Sequence, residues 1–145
     1  MVRINYFFEK TAPFKYALPT KKWILNRLYK EGWGAGNINF IFCSDRYLQK
    51  INKQYLGKTT LTDVISFELP PPGFKQIPEK PLVFGDVFIS IDRIKENHKR
   101  YKTIFAKELK RVMVHGALHL IGFNDKTKKE RGLMAQKENM YIELK

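Results

Sequence analysis

The sequence predicts an α+β fold in a single domain that spans residues 1–145. Four short stretches are rich in β-branched and aromatic side chains, as strands are, and five other stretches have helical spacing or composition. The length fits one domain with one core, and the chain contains no repeat, linker or low-complexity break. Because hydrophobic residues make up 43% of the chain, we expect a folded and not a disordered protein.

The first two predicted strands, residues 4–8 and 37–43, enclose a helix. Thr20 can cap that helix, because a threonine oxygen accepts hydrogen bonds from the first turn, and the glycines from Gly32 onward end it. Its apolar side chains at helical spacing are Trp23, Ile24 and Leu28. Residues 11–20, with two prolines, form the connection before it.

The middle of the chain predicts a helix followed by two strands. Ser44 caps the helix and Gly57 ends it. Its expected buried face consists of Leu48, Ile51 and Tyr55. Residues 62–69 and 82–90 favour strands, and we expect them to be antiparallel neighbours. The proline-rich residues 70–81 between them cannot lie inside a sheet, so they are predicted to form an exposed excursion.

The last third of the chain predicts three helices, over residues 90–102, 103–121 and 128–144. The middle one carries His115 and His119, four residues apart, so their side chains project from adjacent turns of one face. Gly122 offers a helix stop, after which a short turn can fold Asp125 back toward the pair. Three such ligands hold zinc and leave a fourth position for water, whose pKa the ion lowers to about 7.

Two other interpretations of the histidine pair are open at this point. A histidine on an apolar helix is commonly a hydrogen-bonded core residue, although two unpaired imidazoles among Val, Leu and Ile side chains would be costly to bury. A metalloprotease would carry glutamate directly after the first histidine, but Gly116 occupies that position. Peptide hydrolysis is therefore disfavoured.

The net charge of +13 indicates a polyanionic partner, of which nucleic acid is the commonest, with a membrane surface or mere solubility as alternatives. Cys43 is the only cysteine, so no intrachain disulfide can form and we expect a reducing compartment. The chain has no signal-like N-terminus and no apolar run of about 20 residues. We therefore expect a cytoplasmic protein that does not contact membranes.

Three blocks of the sequence resemble the motifs of one family of bacterial metalloproteins. HGALHLIGFND at residues 115–125 is similar to the family's metal motif, H-G-x-L-H-L-x-G-[YF]-D-H. Residues 52–69 (NKQYLGKTTLTDVISFEL) resemble the second block, N-x-x-Y-R-x-x-x-x-x-T-[DN]-V-L-S-F, and residues 84–90 (FGDVFIS) resemble the third, G-D-I-x-I-S. The order and spacing of the three blocks also agree with this family, so the sequence resembles the YbeY family.

The resemblance implies one YbeY-like metal-dependent hydrolase domain, with a mixed four-stranded sheet, about five helices and the metal in a cleft. It implies a single-strand-specific endoribonuclease in ribosomal RNA maturation and ribosome quality control, expected here as a monomer. The implied cofactor is one zinc ion per chain, or a similar divalent ion, bound by His115, His119 and Asp125.

The sequence departs from the family pattern at three positions. Asp125 stands where the family has its third histidine ligand, Asn124 replaces the preceding aspartate, and Leu56 replaces an arginine. Aspartate is a competent zinc ligand, and Glu130 is an alternative source of oxygen. Loss of the arginine removes a planar phosphate-binding group, for which Lys58 is a candidate replacement.

Further candidate site residues are basic groups around the metal and two aspartates in the other blocks. The predicted RNA-binding residues are Lys58, Lys107, Lys110, Arg111, Lys126, Lys128, Lys129 and Arg131. We expect those beside the metal helix to line the cleft, although Lys and Arg on helices are often merely solvated. Asp63 and Asp86 are candidates for a catalytic role or for a contact with a metal ligand, against the more frequent role of aspartate in caps and turns.

Two rival functions remain. An assembly factor would bind ribosomal RNA or ribosomal proteins through the same basic surface, with a purely structural metal. A metal-dependent hydrolase of another substrate would need a base near the metal and a less basic cleft.

Overall fold

The computed structural model describes residues 3–69 and 81–144, and within them the predicted α+β fold is confirmed. The described strands form one sheet in the order β1-β2-β4-β3. They are β1 (Arg3–Glu9), β2 (Gly34–Cys43), β3 (Val64–Glu68) and β4 (Leu82–Ser90). β1, β2 and β4 are parallel, whereas β3 pairs antiparallel with β4, as expected for these neighbours, so the sheet is mixed.

Five helices pack around this sheet in the described residues. They are α1 (Lys21–Lys30), α2 (Asp45–Leu56), α3 (Ile91–Arg100), α4 (Phe105–Leu120) and α5 (Lys128–Glu143). The predicted caps are confirmed, since Thr20 Oγ1 accepts from the Trp23 amide at 3.2 Å and Ser44 Oγ accepts from the Tyr47 amide at 3.2 Å. Hydroxyl caps thus fix where the first two helices begin.

Helix α4 lies on the sheet face that carries Phe40 and Val87, both fully buried. Gly116 makes this close approach possible, because a Cβ at that position would lie 2.4 Å from Val87 Cγ1. At the same point Ser66 Oγ of β3 donates a hydrogen bond to the Gly116 carbonyl at 2.9 Å. The contact fixes the part of α4 that holds the two histidines against the edge strand.

Two details of the predicted elements differ from the structure. Tyr55 was expected on the buried face of α2, but it is 61% exposed, whereas Asn52 is buried and donates to the Thr60 carbonyl. Sequence analysis missed the buried Asn52 because its hydrogen-bond partner, Thr60, lies in the loop that follows α2. β2 begins at Gly34 and not at residue 37, since a register irregularity lets the earlier residues pair with β4.

Most of the predicted excursion over residues 70–81 lies outside the described residues. In the described part of the chain, no helix combines the length and the apolar character needed to cross a bilayer.

We predict that Gly116→Ala lowers the free energy of unfolding by about 1–3 kcal/mol, because the added methyl group overpacks the contact between α4 and Val87. The matched control is Gly132→Ala in α5, where a Cβ meets nothing within 4 Å. This control should raise the free energy of unfolding by about 0.5–1 kcal/mol, since alanine favours a helix over glycine. Urea denaturation of both variants measures the difference, and equal effects would contradict the close packing at Gly116.

Candidate metal centre

The two histidines and the aspartate meet at the C-terminal end of α4. The imidazole rings of His115 and His119 have centroids 4.6 Å apart, and their Nε2 atoms are separated by 3.0 Å. α4 ends at Leu120, and Gly122 then adopts a φ of 103°, a conformation that favours glycine. The resulting turn places Asp125 Oδ2 3.3 Å from each Nε2. The predicted group of three candidate metal ligands is therefore present.

The three atoms have the spacing that tetrahedral coordination requires. Zinc bonds of about 2.0–2.1 Å place neighbouring tetrahedral ligands about 3.3–3.4 Å apart. The observed separations of 3.0, 3.3 and 3.3 Å are close to that value. Two imidazole nitrogens and a carboxylate oxygen are also the donor types that zinc prefers. Both the geometry and the chemistry of this group fit a small divalent cation.

Glu138 of α5 fixes the orientation of His115. Its side chain is buried, and its Oε2 accepts a hydrogen bond from His115 Nδ1 at 2.7 Å. A proton on Nδ1 leaves the lone pair of Nε2 directed at the other two ligands, as metal binding requires. Arg111 in turn lies 3.5 Å from Glu138 and 3.3 Å from Glu108. Glu138 is thus held by a cation on one side and by the ligand on the other.

Sequence analysis missed Glu138. One signal was available, because Met134, Glu138 and Tyr141 form the buried stripe of α5 at helical spacing. A glutamate within an apolar stripe needs a buried partner. The sequence does not identify that partner, since His115 is 23 residues away and on another helix.

Carboxylates cluster around the site of His115, and two of them, Glu108 and Glu138, are buried. Burial lowers the pKa of His115, but the hydrogen bond to Glu138 and the neighbouring acidic charges outweigh this, so the pKa is raised. Burial raises the pKa of Asp63, and the nearby His115 opposes that effect. Burial also raises the pKa of Glu108, with the charge of Asp63 adding to it. A divalent cation at the three ligands would offset this repulsion among acids.

The ligands open onto a cleft of about 710 Å³ between α4, the edge strand β3 and the loop that follows α2. Asp63, Lys58 and Lys126 line this cleft, as does Leu56. Glu130 has a different role, because its Oε1 accepts from the Thr127 amide at 2.9 Å and completes the capping box of α5. The structure therefore brings Asp125, and not Glu130, to the histidine pair.

Asp86 lies on the other side of the sheet. Gly85 and Val87 face α4, so the side chain between them points away from it. There Asp86 Oδ1 accepts from Asn39 Nδ2 at 2.9 Å, within a row of side-chain hydrogen bonds across the strands. This position separates Asp86 from the candidate ligands.

The basic residues of α4 do not line the cleft as expected, because other partners engage them. Lys107 Nζ lies 3.3 Å from Glu143, and Lys110 Nζ stacks 5.4 Å above the Trp23 ring. Arg111 is held by the two glutamates described above. Three further candidates lie in the first turns of α5, where they are exposed: Lys128, Lys129 and Arg131. The basic residues that do line the cleft, Lys58 and Lys126, therefore come from loops and not from α4.

Three comparisons relate this chain to known proteins. The model of the family described as Endoribonuclease YbeY matches residues 10–144. A Karelsulcia muelleri protein named Endoribonuclease YbeY is 42% identical over 139 residues, which cover 96% of this chain and 93% of that protein. The namesake from Flavobacterium psychrophilum is 43% identical, with 99% and 96% covered. The solution structure of a Thermotoga maritima protein matches with a TM-score of 0.62 and 28% identity, over 99% of this chain and 87% of that one.

We predict that Glu138→Ala weakens zinc binding by about 10- to 100-fold, because His115 loses the partner that fixes its tautomer and orientation. Glu138→Gln, which retains an acceptor oxygen but no charge, should lie between this variant and the unchanged protein. Glu143→Gln is the matched control, since it neutralises an exposed glutamate of the same helix. Competition with a fluorescent zinc chelator measures the affinity, and circular dichroism checks that the variants fold. Equal zinc affinity in all three variants would refute this role of Glu138.

Proposed function

The chain belongs to the YbeY endoribonuclease family, and from this premise we propose that it cleaves single-stranded ribosomal RNA in a zinc-dependent reaction during rRNA maturation and ribosome quality control. The family makes the protein a hydrolase that acts on RNA. The observation that carries the zinc-dependent mechanism is the convergence of His115, His119 and Asp125 at the wall of an open cleft.

His115, His119 and Asp125 would hold the zinc ion, with Glu138 orienting the first of them. When bound, zinc supplies Lewis acidity toward a phosphoryl oxygen and toward water. Only three protein ligands converge among the described residues, and they face the cleft. This arrangement supports a catalytic ion over a structural one, because structural zinc sites are closed by a fourth protein ligand.

We propose that two lysines bind the scissile phosphate. Lys58 and Lys126 both line the cleft. Lys58 lies in the loop after α2, and Lys126 lies in the loop before α5. Their charges would neutralise phosphate oxygens and hold the strand beside the ligands. The basic edge would continue along α5 through three further residues, Lys128, Lys129 and Arg131. The basic residues of α4, which are paired or stacked, add to the net charge: Lys107, Lys110 and Arg111.

Asp63 is our candidate for the group that accepts a proton. It lines the cleft near His115, and burial moves its pKa upward toward the working range of a general base. Its carboxylate would take the proton of the attacking oxygen, which belongs either to water or to the ribose 2′-hydroxyl. Asp86 has no part in this step, because it faces the opposite side of the sheet.

A second function, RNA binding in ribosome assembly without cleavage, has one observation in its favour. Leu56, 47% exposed, lines the cleft at the position where the family motif has arginine. Lysine at position 58 offers a point charge in place of the planar, bidentate group. Cleavage assays separate the two functions.

We also propose that the protein works as a monomer in the cytoplasm. Cys43, its single cysteine, is buried in the core, so it does not offer a thiol for a disulfide between chains.

We predict that the purified protein contains about one zinc ion per chain, and that His115→Ala and His119→Ala reduce this content to near zero and abolish RNA cleavage. His98→Ala is the matched control, because the third histidine of the chain lies outside the site and contacts the Thr103 carbonyl. Atomic absorption measures the metal, and a labelled single-stranded ribosomal RNA fragment reports cleavage. Full metal content in the His115 and His119 variants would show that the ion is bound elsewhere.

A separate prediction concerns the third ligand. Asp125→Ala should weaken zinc binding, whereas Asp125→His should retain or strengthen it, because imidazole is a good zinc ligand and completes a set of three histidines. Glu130→Ala should cost helix stability through the lost capping box but leave zinc affinity unchanged. If Glu130→Ala loses zinc while Asp125→Ala retains it, the ligand assignment is wrong.

A further inference from the structure

The outer face of α2 carries three basic residues that the metal site does not use. Arg46, Lys50 and Lys53 are all exposed and lie at helical spacing on one side of α2. We call these three residues the α2 stripe. At 1.5 Å per residue, the stripe is about 10 Å long. The opposite side of α2 packs on the sheet through Leu48 and Ile51, so the stripe faces solvent.

The α2 stripe borders a groove of about 430 Å³, which Gln49 and Thr59 complete. Of the residues that the structure describes, no carboxylate lines this groove. Among the described residues, the stripe forms no ion pair with an acidic side chain. The nearest acid in the sequence, Asp45, is already engaged, since it lies 3.0 Å from Arg93 and accepts a hydrogen bond from Ser90. The positive charge of the stripe is therefore available to a ligand.

The groove and the metal cleft share one wall. Thr59 lines the groove, whereas its neighbours Lys58 and Thr60 line the cleft. Two hydrogen bonds hold this loop against α2: Gln49 Nε2 donates to the Thr59 carbonyl at 3.0 Å, and Asn52 Nδ2 donates to the Thr60 carbonyl at 3.0 Å. A strand that leaves the cleft over Lys58 thus meets the α2 stripe after crossing a single, fixed loop.

We propose that the α2 stripe binds the phosphate backbone of the RNA strand beyond the cleavage site, so that the substrate runs from the metal cleft across residues 58–60 and along α2. This inference rests on the proposed function for the identity of the polyanion. Unpaired cations in a row contact phosphates without reading bases, so the stripe would add affinity and set a minimum substrate length, not a sequence preference. Short RNA would fill the cleft alone, and longer RNA would reach the stripe.

The test compares two triple variants of equal charge. One carries Arg46→Gln, Lys50→Gln and Lys53→Gln. The control carries Lys15→Gln, Lys22→Gln and Lys30→Gln, three exposed residues in or just before α1, which packs on the opposite sheet face from α2. Fluorescence anisotropy at several salt concentrations measures binding of 2′-O-methyl oligouridine, as a trinucleotide and as a dodecanucleotide.

For the dodecanucleotide, we expect the stripe variant to reduce the slope of log K against log salt by about 2, because each phosphate contact on a single strand contributes about 0.7. The control variant should change this slope by much less. For the trinucleotide, the two variants should behave alike. Equal slopes for both variants on the dodecanucleotide would overturn the inference, as would an equal loss on both lengths. Either result leaves the proposed function intact, since that depends on cleavage by the unchanged protein and its loss in His115→Ala.

Discussion

The close contact between α4 and the sheet at Gly116 fixes the position of the end of α4, and therefore of the two histidines and the cleft. A residue with a side chain there would collide with Val87 and crowd the Ser66 hydroxyl, which donates to the helix backbone. With the helix held at this depth, the residues on either side of the contact, His115 and His119, reach the rim of the sheet at its edge strand. The cleft forms because β3 is an edge strand of the sheet and α4 lies over it.

The charge of the protein is divided between an acidic interior of the site and a basic exterior. Asp63, Glu108, Glu138 and Asp125 all act on the site around His115, although the chain carries a net charge of +13. An RNA phosphate is therefore attracted by the rim and repelled by the excess of carboxylates inside. A bound cation removes that repulsion, so in this arrangement metal binding and substrate binding support each other.

Local patterns predicted most of the fold and the two histidines among the candidate ligands, because these features depend on neighbours in sequence. The spacing of His115 and His119 is a property of one helix, and the caps at Thr20 and Ser44 act within one turn. Features that depend on contacts between distant elements were not predicted. Glu138 approaches His115 only when α5 packs on α4, and the cations of α4 contact partners that the sequence does not identify. Asp125 falls between these cases, since Gly122 predicts a turn but not its direction.

Gly122 also affects which substitutions are accessible at the third ligand position. The turn is shaped by a backbone conformation at residue 122 and by the start of α5, and not by the identity of residue 125. Codons for aspartate and histidine differ only in their first base, and both side chains end in a donor that zinc accepts. A single nucleotide change can therefore interconvert the two candidate ligand sets, and both proteins retain the turn. Aspartate and histidine at position 125 can thus be exchanged by one mutation. A residue with a side chain at position 122 would instead strain the turn.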